Sequence, residues 1–307
     1  MKAVRIHAYG GVEVLQYEDA PMREIGPDEV LIKVIASSVN PIDWKVRSGK
    51  AKDRMPVTFP FILGWDVSGI VDEAGSLVTR FKKGDKVFSR SDPSRNGAYA
   101  EYIAVRASEV AFAPSSIPLA HAAAVPLACM TAWAGLFEQG SLRAGQSVLI
   151  HGASGGVGTF AVQLAKLAGA HVIATTSTKN VDLIKSLHAD EVIDYKTEDF
   201  SIKVKDVDMV FDTVGSDTQK KSWGIIKKGG VLVATVGADA KEAEAHHVTA
   251  KSFMLNSNGA RLQEIAGLID QGKLKIIIEK EFLLTEVRAA HELSEKGHSV
   301  GKIIITV

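Results

Sequence analysis

The stretch HGASGGVG, residues 151–158, lies between a short apolar run and a helical pattern. The run SVLIH, residues 147–151, is typical of a buried strand, and residues 157–168 repeat their apolar side chains with the period of a helix. In such a strand–turn–helix unit, Gly155 allows the backbone to approach a pyrophosphate and Gly158 allows the helix to pack close to its strand. The free N–H groups at the helix start then bind the phosphate anion.

This phosphate loop, which Gly156 and Val157 complete, departs from the usual G-x-G-x-x-G because Ala153 stands at the first glycine. A glycine motif alone is a weak signal, and an ordinary glycine-rich turn is the alternative interpretation. The context favours the phosphate loop, because strands and helices alternate after it and predict βαβ units with a parallel sheet. The expected strands are residues 147–151, 171–176, 191–194, 207–211, 231–236 and 254–256, and the expected helices are residues 157–168, 181–188, 219–226 and 260–271.

The first third of the chain has a different pattern. Residues 30–36 and 67–71 are expected strands, residues 81–88 form a turn that leads into a strand, and Gly and Pro recur at short intervals. This pattern is typical of a small barrel or sandwich rather than of helices. The tail GKIIITV, residues 301–307, is again rich in β-formers. The sequence therefore predicts an α/β protein with a β-rich part and a doubly wound parallel sheet.

Composition and charge narrow the function classes. The 307 residues include 36 basic and 36 acidic side chains, so no basic excess indicates a nucleic-acid partner. The single cysteine, Cys129, excludes disulfides within the chain and a zinc site built on several thiolates. Neither the first residues nor the apolar segment 119–137 has the features of a signal peptide or a membrane span. We therefore expect a cytoplasmic protein without a membrane partner.

The end of the second expected strand indicates which dinucleotide is bound. NAD enzymes usually carry an acid there, about 20 residues after the glycines. This chain has TTSTKN, residues 175–180, with no acid before Asp182. Ser177 can donate a hydrogen bond to a ribose 2′-phosphate and Lys179 can neutralise it, which favours NADPH. A solvated loop lysine is the alternative interpretation of Lys179.

Several motifs, in one order along the whole chain, resemble the medium-chain dehydrogenase/reductase superfamily. More narrowly, they resemble its zinc-independent quinone oxidoreductase branch, which includes plant enone and alkenal reductases. The motifs, besides the opening MKAVRIHAYG and the phosphate loop, are SSVNPIDWKVRSG (37–49), PFILGWDVSGIV (60–71), NGAYAEYIAV (96–105), AAAVPLACMTAWAGLF (122–137) and EKGHSVGKIII (295–305).

The resemblance implies a GroES-like substrate domain, residues 1–120 and 273–307, with an inserted NADPH-binding Rossmann domain, residues 121–272. It also implies a homodimer joined through the cofactor domains. Zinc-dependent relatives carry a cysteine after a first-domain strand and a Gly-His-Glu further on. Here residues 40–43 and Gly64-Trp65-Asp66 stand at those positions. Trp65 cannot ligate a metal, so we expect no zinc.

The resemblance also assigns the cofactor residues of this chain. It places Asn40 and Thr131 at the nicotinamide, Gly155, Gly156, Val157 and Gly158 at the pyrophosphate, Ser177, Lys179 and Tyr195 around the 2′-phosphate, and Val214, Gly237 and Leu255 along the cofactor groove. Alternative interpretations stay open for three of them. Thr131 is also suited to a helix core, Tyr195 to capping a strand end, and Asn40 to a turn before Pro41.

Lys45 is the expected catalytic donor, with Asn40 beside the reacting groups. When a hydride reaches the β-carbon of an enone, charge grows on the carbonyl oxygen, and a nearby donor stabilises it. Enone-reductase relatives tend to carry lysine at this position; a lysine on a surface turn is the alternative. We therefore expect an NADPH-dependent reductase of quinones or α,β-unsaturated carbonyls. An enoyl-thioester reductase and a non-catalytic NADPH-binding redox sensor are the other hypotheses.

Overall fold

A computed structural model describes all residues, 1–307, in two compact units. Unit 1 comprises Met1–Leu127, Asn256–Gly272 and Ile278–Val307, and unit 2 comprises Ala128–Leu255 and Lys273–Ile277. The strands are β1 (Lys2–Ile6), β2 (Gln16–Asp19), β3 (Glu29–Val39), β4 (Phe61–Ile62), β5 (Asp66–Ala74), β6 (Lys86–Arg90), β7 (Tyr102–Arg106), β8 (Val110–Phe112), β9 (Ser147–His151), β10 (His171–Thr176), β11 (Glu191–Asp194), β12 (Val207–Asp212), β13 (Ile226–Ala234), β14 (Thr249–Ser252), β15 (Ile278–Leu283) and β16 (Lys302–Thr306).

The helices are α1 (Pro41–Arg47), α2 (Leu119–Ala122), α3 (Pro126–Trp133), α4 (Gly156–Leu167), α5 (Val181–Ser186), α6 (Phe200–Lys203), α7 (Ser216–Ser222), α8 (Ala240–Ala245), α9 (Gly259–Asp270) and α10 (Val287–Glu295). None of them combines the length and the apolar composition that a bilayer-spanning helix needs.

Unit 2 is built on one six-stranded sheet in the order β11-β10-β9-β12-β13-β14, and every neighbouring pair is parallel. From β9 the chain builds β10 and β11 on one side and then β12, β13 and β14 on the other, so the strand order reverses at β9. Parallel neighbours need crossover connections, which α4, α5, α6, α7 and α8 supply. The predicted doubly wound parallel sheet is confirmed.

Three expected strands, residues 147–151, 171–176 and 191–194, have the bounds of β9, β10 and β11. The prediction of a last strand of this sheet at residues 254–256 is wrong, because its last strand is β14 and Met254 is exposed outside it. β14 lies at the edge of the sheet, where two of its four residues are exposed and two are partly buried. It therefore lacks the apolar alternation by which a strand is recognised.

Unit 1 contains a seven-stranded sheet, in which β15-β16-β3-β5-β6-β8 are successive neighbours and β7 also pairs with β3. Only β15 and β16 run parallel in it; a second sheet, β2-β1-β4, is antiparallel throughout. One apolar core of the unit surrounds Trp65 and Tyr99, and another is rich in valine from β3 and β5. The expected β-rich first third and β-rich tail are confirmed, and they share one sheet.

The first third also contains a helix, α1, which the expectation of strands and turns omitted. Asn40 precedes it with extended backbone, Pro41 occupies its first position, and the Asp43 carboxylate accepts the Asn40 N–H at 2.6 Å. These are ordinary helix-start residues, since proline lacks an N–H and a carboxylate satisfies a free one. Lys45 therefore lies on the last turn of a helix rather than on a surface turn.

Neighbouring strands bring three polar residues of unit 1 together. β16 and β3 are antiparallel and pair Ile303 with Val39, so the next residues outward, Lys302 and Asn40, are adjacent. Asp66 begins β5, on the other side of β3. The same end of three strands therefore collects an ammonium, an amide and a carboxylate.

Candidate functional site

The phosphate loop joins β9 to α4 at the carboxyl edge of the unit 2 sheet, where the strand order reverses. Gly152 has a φ of +71°, which favours glycine. At Gly158, in the first turn of α4, an added Cβ would collide with the Gly152 carbonyl oxygen and lie 2.6 Å from the Ala153 Cα. At Gly155 the nearest atom to an added Cβ is the Gly152 oxygen, at 3.4 Å. The loop thus combines close helix packing with an open backbone face that an anion can approach.

His151, at the end of β9, anchors the loop from beneath. Its Nδ1 lies 3.0 Å from the Thr175 hydroxyl and its Nε2 lies 3.0 Å from the Ser222 hydroxyl. Because Ser222 donates to the Thr218 carbonyl, the His151 Nε2–H donates to Ser222 and Nδ1 accepts from Thr175. Burial lowers the pKa of His151 to about 4, and Asp212 partly opposes this shift. A neutral imidazole therefore ties β9 to β10 and α7.

The end of β10 carries the residues predicted for the 2′-phosphate. Thr176 of β10 pairs with Asp194 of β11, so the next residues, Ser177 and Tyr195, lie side by side. Tyr195 is 47% exposed, and Lys179 is exposed on the turn after β10. These side chains are therefore open to a ligand at this corner of the sheet.

Asn180 ties this corner to the phosphate loop. Its Nδ2 donates to the Ser154 hydroxyl at 3.1 Å and to the Ser177 hydroxyl at 3.3 Å. A nearby acid, Asp194, is held by local donors, since hydrogen bonds from the Thr178 side chain and a backbone N–H lower the pKa of its carboxyl. The corner therefore presents a hydroxyl and an ammonium, with its acid engaged by neighbouring residues.

The other groove residues lie along the same carboxyl edge. Val214 follows β12 and is 51% exposed, and Gly237 follows β13 with a φ of +104° and open space around an added Cβ. Leu255 follows β14 and is partly buried. Thr131 is buried in α3. The carboxyl edge of a doubly wound sheet at its reversal is where ligands of such folds bind.

Asn40 in unit 1 is buried, and both ends of its side-chain amide are engaged. Its Nδ2 donates to Asp66 Oδ2 at 2.8 Å, and its Oδ1 accepts from the Lys302 ammonium. Lys302 also donates to the Val39 carbonyl at 3.0 Å and lies 3.6 Å from Asp66 Oδ2. Burial lowers the pKa of the Lys302 ammonium, whereas the charges of Asp66 and Asp43 act to raise it.

The two buried carboxyl groups of this cluster, Asp66 and Asp43, differ in the hydrogen bonds that they accept. Asp66 also accepts from the Ser38 hydroxyl and from the Leu127 N–H, both at 2.8 Å. Asp43 accepts the Asn40 N–H through Oδ2, while its Oδ1 has no hydrogen-bond partner. Burial raises the pKa of Asp43 to about 7; the Asn40 N–H opposes the shift and Asp66 adds to it.

A second buried chain holds α1 against α10. The Arg47 guanidinium lies 3.1 Å from His291 Nδ1 and also pairs with Glu295, and His291 Nε2 lies 3.2 Å from the Tyr99 hydroxyl. Burial lowers the pKa of His291 to about 3, and the charge of Arg47 lowers it further. The neutral imidazole therefore fixes the helix that carries Lys45.

Lys45 itself is half-buried, with its Nζ 5.5 Å from the centroid of the Trp44 ring. Lys50 approaches the same ring at 5.6 Å. No hydrogen bond or ion pair links the Lys45 ammonium to Asn40, Asp66 or any other carboxylate. Its donors are therefore available to a ligand.

The residues present do not fit a zinc site. No three His, Cys, Asp or Glu side chains converge as metal ligands. Trp65 is fully buried and donates its indole N–H to the Arg95 carbonyl at 3.2 Å.

Sequence reasoning missed Lys302 and Asn180. Lys302 is a lone charge at the start of an apolar strand, and that signal was available in GKIIITV. Nothing in the sequence distinguishes Asn180 from other polar residues at a strand end.

Two family models match the chain. One is described as the alcohol dehydrogenase GroES-like domain and matches residues 26–115. The other is described as a zinc-binding dehydrogenase and matches residues 187–305. The first match agrees with the expected GroES-like fold of the first part.

Similar proteins with names cover nearly the whole chain. A tomato (Solanum lycopersicum) 2-methylene-furan-3-one reductase is 37% identical over 99% of this chain and 79% of its own length. A chloroplastic NADPH-dependent alkenal/one oxidoreductase of Arabidopsis thaliana is 37% identical over the same shares. The solved structure of a quinone oxidoreductase from Coxiella burnetii is 36% identical, with a TM-score of 0.92 over 100% of this chain and 99% of its own.

Proposed function

Because the chain belongs to the medium-chain dehydrogenase/reductase superfamily, in the branch of quinone oxidoreductases and alkenal/one reductases, we propose that it is an NADPH-dependent reductase. Its acceptors are quinones or α,β-unsaturated carbonyls, and it works without zinc. The observation that carries the proposal is the corner of unit 2 where an open phosphate loop stands beside the exposed Lys179 and the hydroxyl of Ser177.

Unit 2 holds the cofactor in this proposal. The N–H groups at the start of α4 bind the pyrophosphate, because a helix N-terminus leaves them without partners. Ser177, Lys179 and Tyr195 surround the 2′-phosphate. The groove residues Val214, Gly237 and Leu255 and the buried Thr131 line the rest of the site. When bound, NADPH supplies the hydride.

Unit 1 supplies the groups that act on the acceptor. The Lys45 ammonium, which has no protein acceptor, stabilises the negative charge that grows on the carbonyl or quinone oxygen. It also delivers a proton to that oxygen and is reprotonated by water. Asn40 acts beside it through its side-chain amide. Without a metal ligand set, these donors are the electrophilic groups that the chain offers.

We also propose a homodimer and a cytoplasmic location. β14 is an edge strand of the unit 2 sheet, and such an edge leaves N–H and C=O groups for a second copy. Light scattering after gel filtration tests the first proposal, and cell fractionation tests the second; a monomer or an organellar protein contradicts them.

Cofactor oxidation with a panel of acceptors tests the function. We expect NADPH-dependent turnover with 1,2-naphthoquinone, 9,10-phenanthrenequinone or a short enal, unchanged by dialysis against a zinc chelator. Turnover only with an enoyl thioester would indicate the thioester reductase. Tight NADPH binding without turnover of any acceptor would refute the reductase and favour a redox sensor.

The role of Lys45 is tested by Lys45→Met, with Lys50→Met as the matched control. Both ammonium groups approach Trp44, but only Lys45 is assigned to the acceptor. Removing one donor to a developing oxyanion lowers kcat by about 10²-fold, while NADPH binding stays the same. Full turnover by Lys45→Met, or an equal loss in both variants, would show that the assignment is wrong.

A further inference from the structure

The buried cluster at Asn40 has a geometry that the proposed function leaves unexplained. The Lys302 Nζ meets three acceptors, namely the Asn40 Oδ1, the Val39 carbonyl and, at 3.6 Å, the Asp66 carboxylate. The ammonium therefore makes two hydrogen bonds and one longer ion-pair contact, all within the chain. Lys302 is also buried, and Asn40, to which it donates, lies 262 residues away in the sequence. An ion pair this deep carries a desolvation cost, so its presence is weak evidence for a stabilising role.

The two charged neighbours decide how the Asn40 amide is turned. Lys302 can only donate, so it must face the amide oxygen; the Asp66 carboxylate only accepts, so it must face the amide nitrogen. The opposite orientation would place a donor against a donor and an acceptor against an acceptor in a buried site. One Nδ2 hydrogen binds Asp66, and the other has no acceptor within the chain. The cluster therefore presents one N–H of Asn40 in a fixed direction.

We propose that Lys302, together with Asp66, is a positioning residue that locks the Asn40 amide so that its free Nδ2–H is offered to the reacting ligand. The inference rests on the proposed function for the identity of that ligand, which is the acceptor, through its carbonyl or quinone oxygen. The lock itself is a property of unit 1, so it can be measured without turnover.

Exchange of the Asn40 side-chain amide hydrogens measures the lock directly. The chain has five asparagines, so selective nitrogen-15 labelling gives a simple NMR spectrum, and an Asn40→Ser variant assigns the signals. In Lys302→Met we expect the Asn40 amide signals to shift and to exchange at least about 10-fold faster, because Oδ1 loses its donor and only the Asp66 contact still holds the amide. The exposed Lys296 serves as the control, and Lys296→Met leaves both unchanged. Unchanged Asn40 exchange in folded Lys302→Met would overturn the proposal.

Kinetics with the Asn40→Ala variant test whether the lock serves the reaction. Lys302→Met should lower kcat about 10-fold or more, while the Kd for NADPH changes less than about 3-fold. In the Asn40→Ala background the same change should cost less than about 2-fold, because Lys302 acts through Asn40. Losses that multiply would refute the positioning role.

The two proposals fail separately. No turnover by the wild-type protein refutes the reductase but leaves the amide-exchange result standing for or against the lock. If Lys302→Met does not fold, Lys302→Met/Asp66→Asn removes both buried charges and still lacks the donor to Asn40 Oδ1. We expect the same faster exchange in that variant, and wild-type exchange would overturn the lock.

Discussion

The phosphate loop offers a pair of methyl additions whose effects should separate binding from stability. In Gly155→Ala the new Cβ has only the Gly152 oxygen nearby, at 3.4 Å, and the φ of −77° suits alanine. The fold should therefore be unchanged, but the methyl stands where a phosphate would approach. Losing one charge-assisted hydrogen bond of about 1.5–3 kcal/mol weakens NADPH binding about 10- to 150-fold.

Gly158→Ala should instead lower the stability of the fold. Its Cβ would lie 2.6 Å from the Ala153 Cα, well inside ordinary contact, and the atoms it meets are backbone that cannot rotate away. Such overpacking costs about 1–3 kcal/mol, which lowers the Tm by roughly 2–12 °C.

Thermal unfolding followed by circular dichroism, together with NADPH fluorescence titration, measures both quantities on each variant. Wild-type affinity in Gly155→Ala would refute the close approach of the pyrophosphate. A wild-type Tm in Gly158→Ala would refute the packing argument.

Two further predictions concern charge. Lys179→Ala should raise the KM for NADPH about 10- to 150-fold in steady-state assays and leave the KM for NADH within about 2-fold. Lys185 is also exposed, and Lys185→Ala is the control. An equal rise in KM with both cofactors would contradict the 2′-phosphate site. Asp43→Asn should change the pH dependence of unfolding by urea. Because the pKa of folded Asp43 is raised to about 7, this residue keeps its proton at pH values where the unfolded chain loses it, and the free energy of unfolding of the wild type falls by roughly 2–3 kcal/mol between pH 5 and pH 8. The variant, which retains Asp66, Lys302 and Tyr99, should lose less. Equal losses in both proteins would show that Asp43 is ionised throughout.

The parts of the fold that could be predicted are those in which the local sequence itself shows which residues are buried. β9 and β10 are rich in buried apolar residues, and β11, EVID, has two apolar residues between two acids, so local composition marks all three strands. β14, TAKS, escaped prediction because it contains a single apolar residue and all its side chains are partly buried or exposed. The helix α1 was predictable in retrospect, since Asn40, Pro41 and Asp43 are a complete start signal.

The residues of the candidate site also differ in how far local sequence predicts them. Glycines, Ser177 and Lys179 lie next to strand ends in the sequence, so a local motif is enough to find them. The partners of Asn40 are not local: Asp66 is 26 residues away and Lys302 is 262 residues away, and only the pairing of β3 with β5 and β16 brings them together. A single sequence carries no information on which distant strands pair.

The two lysines of unit 1 show how surroundings assign roles to one residue type. Lys302 is buried, donates to Asn40 and Val39, and lies 3.6 Å from the Asp66 carboxylate, so its ammonium is engaged within the chain. Lys45 is half-buried, lies against an aromatic ring and has no acceptor, so its charge and its protons remain available. Lys302 could take the role of Lys45 only if its ammonium left the ion pair with Asp66 and became exposed to water. It follows that loss of Lys302 should act through the orientation of Asn40, whereas loss of Lys45 should remain costly in an Asn40→Ala background.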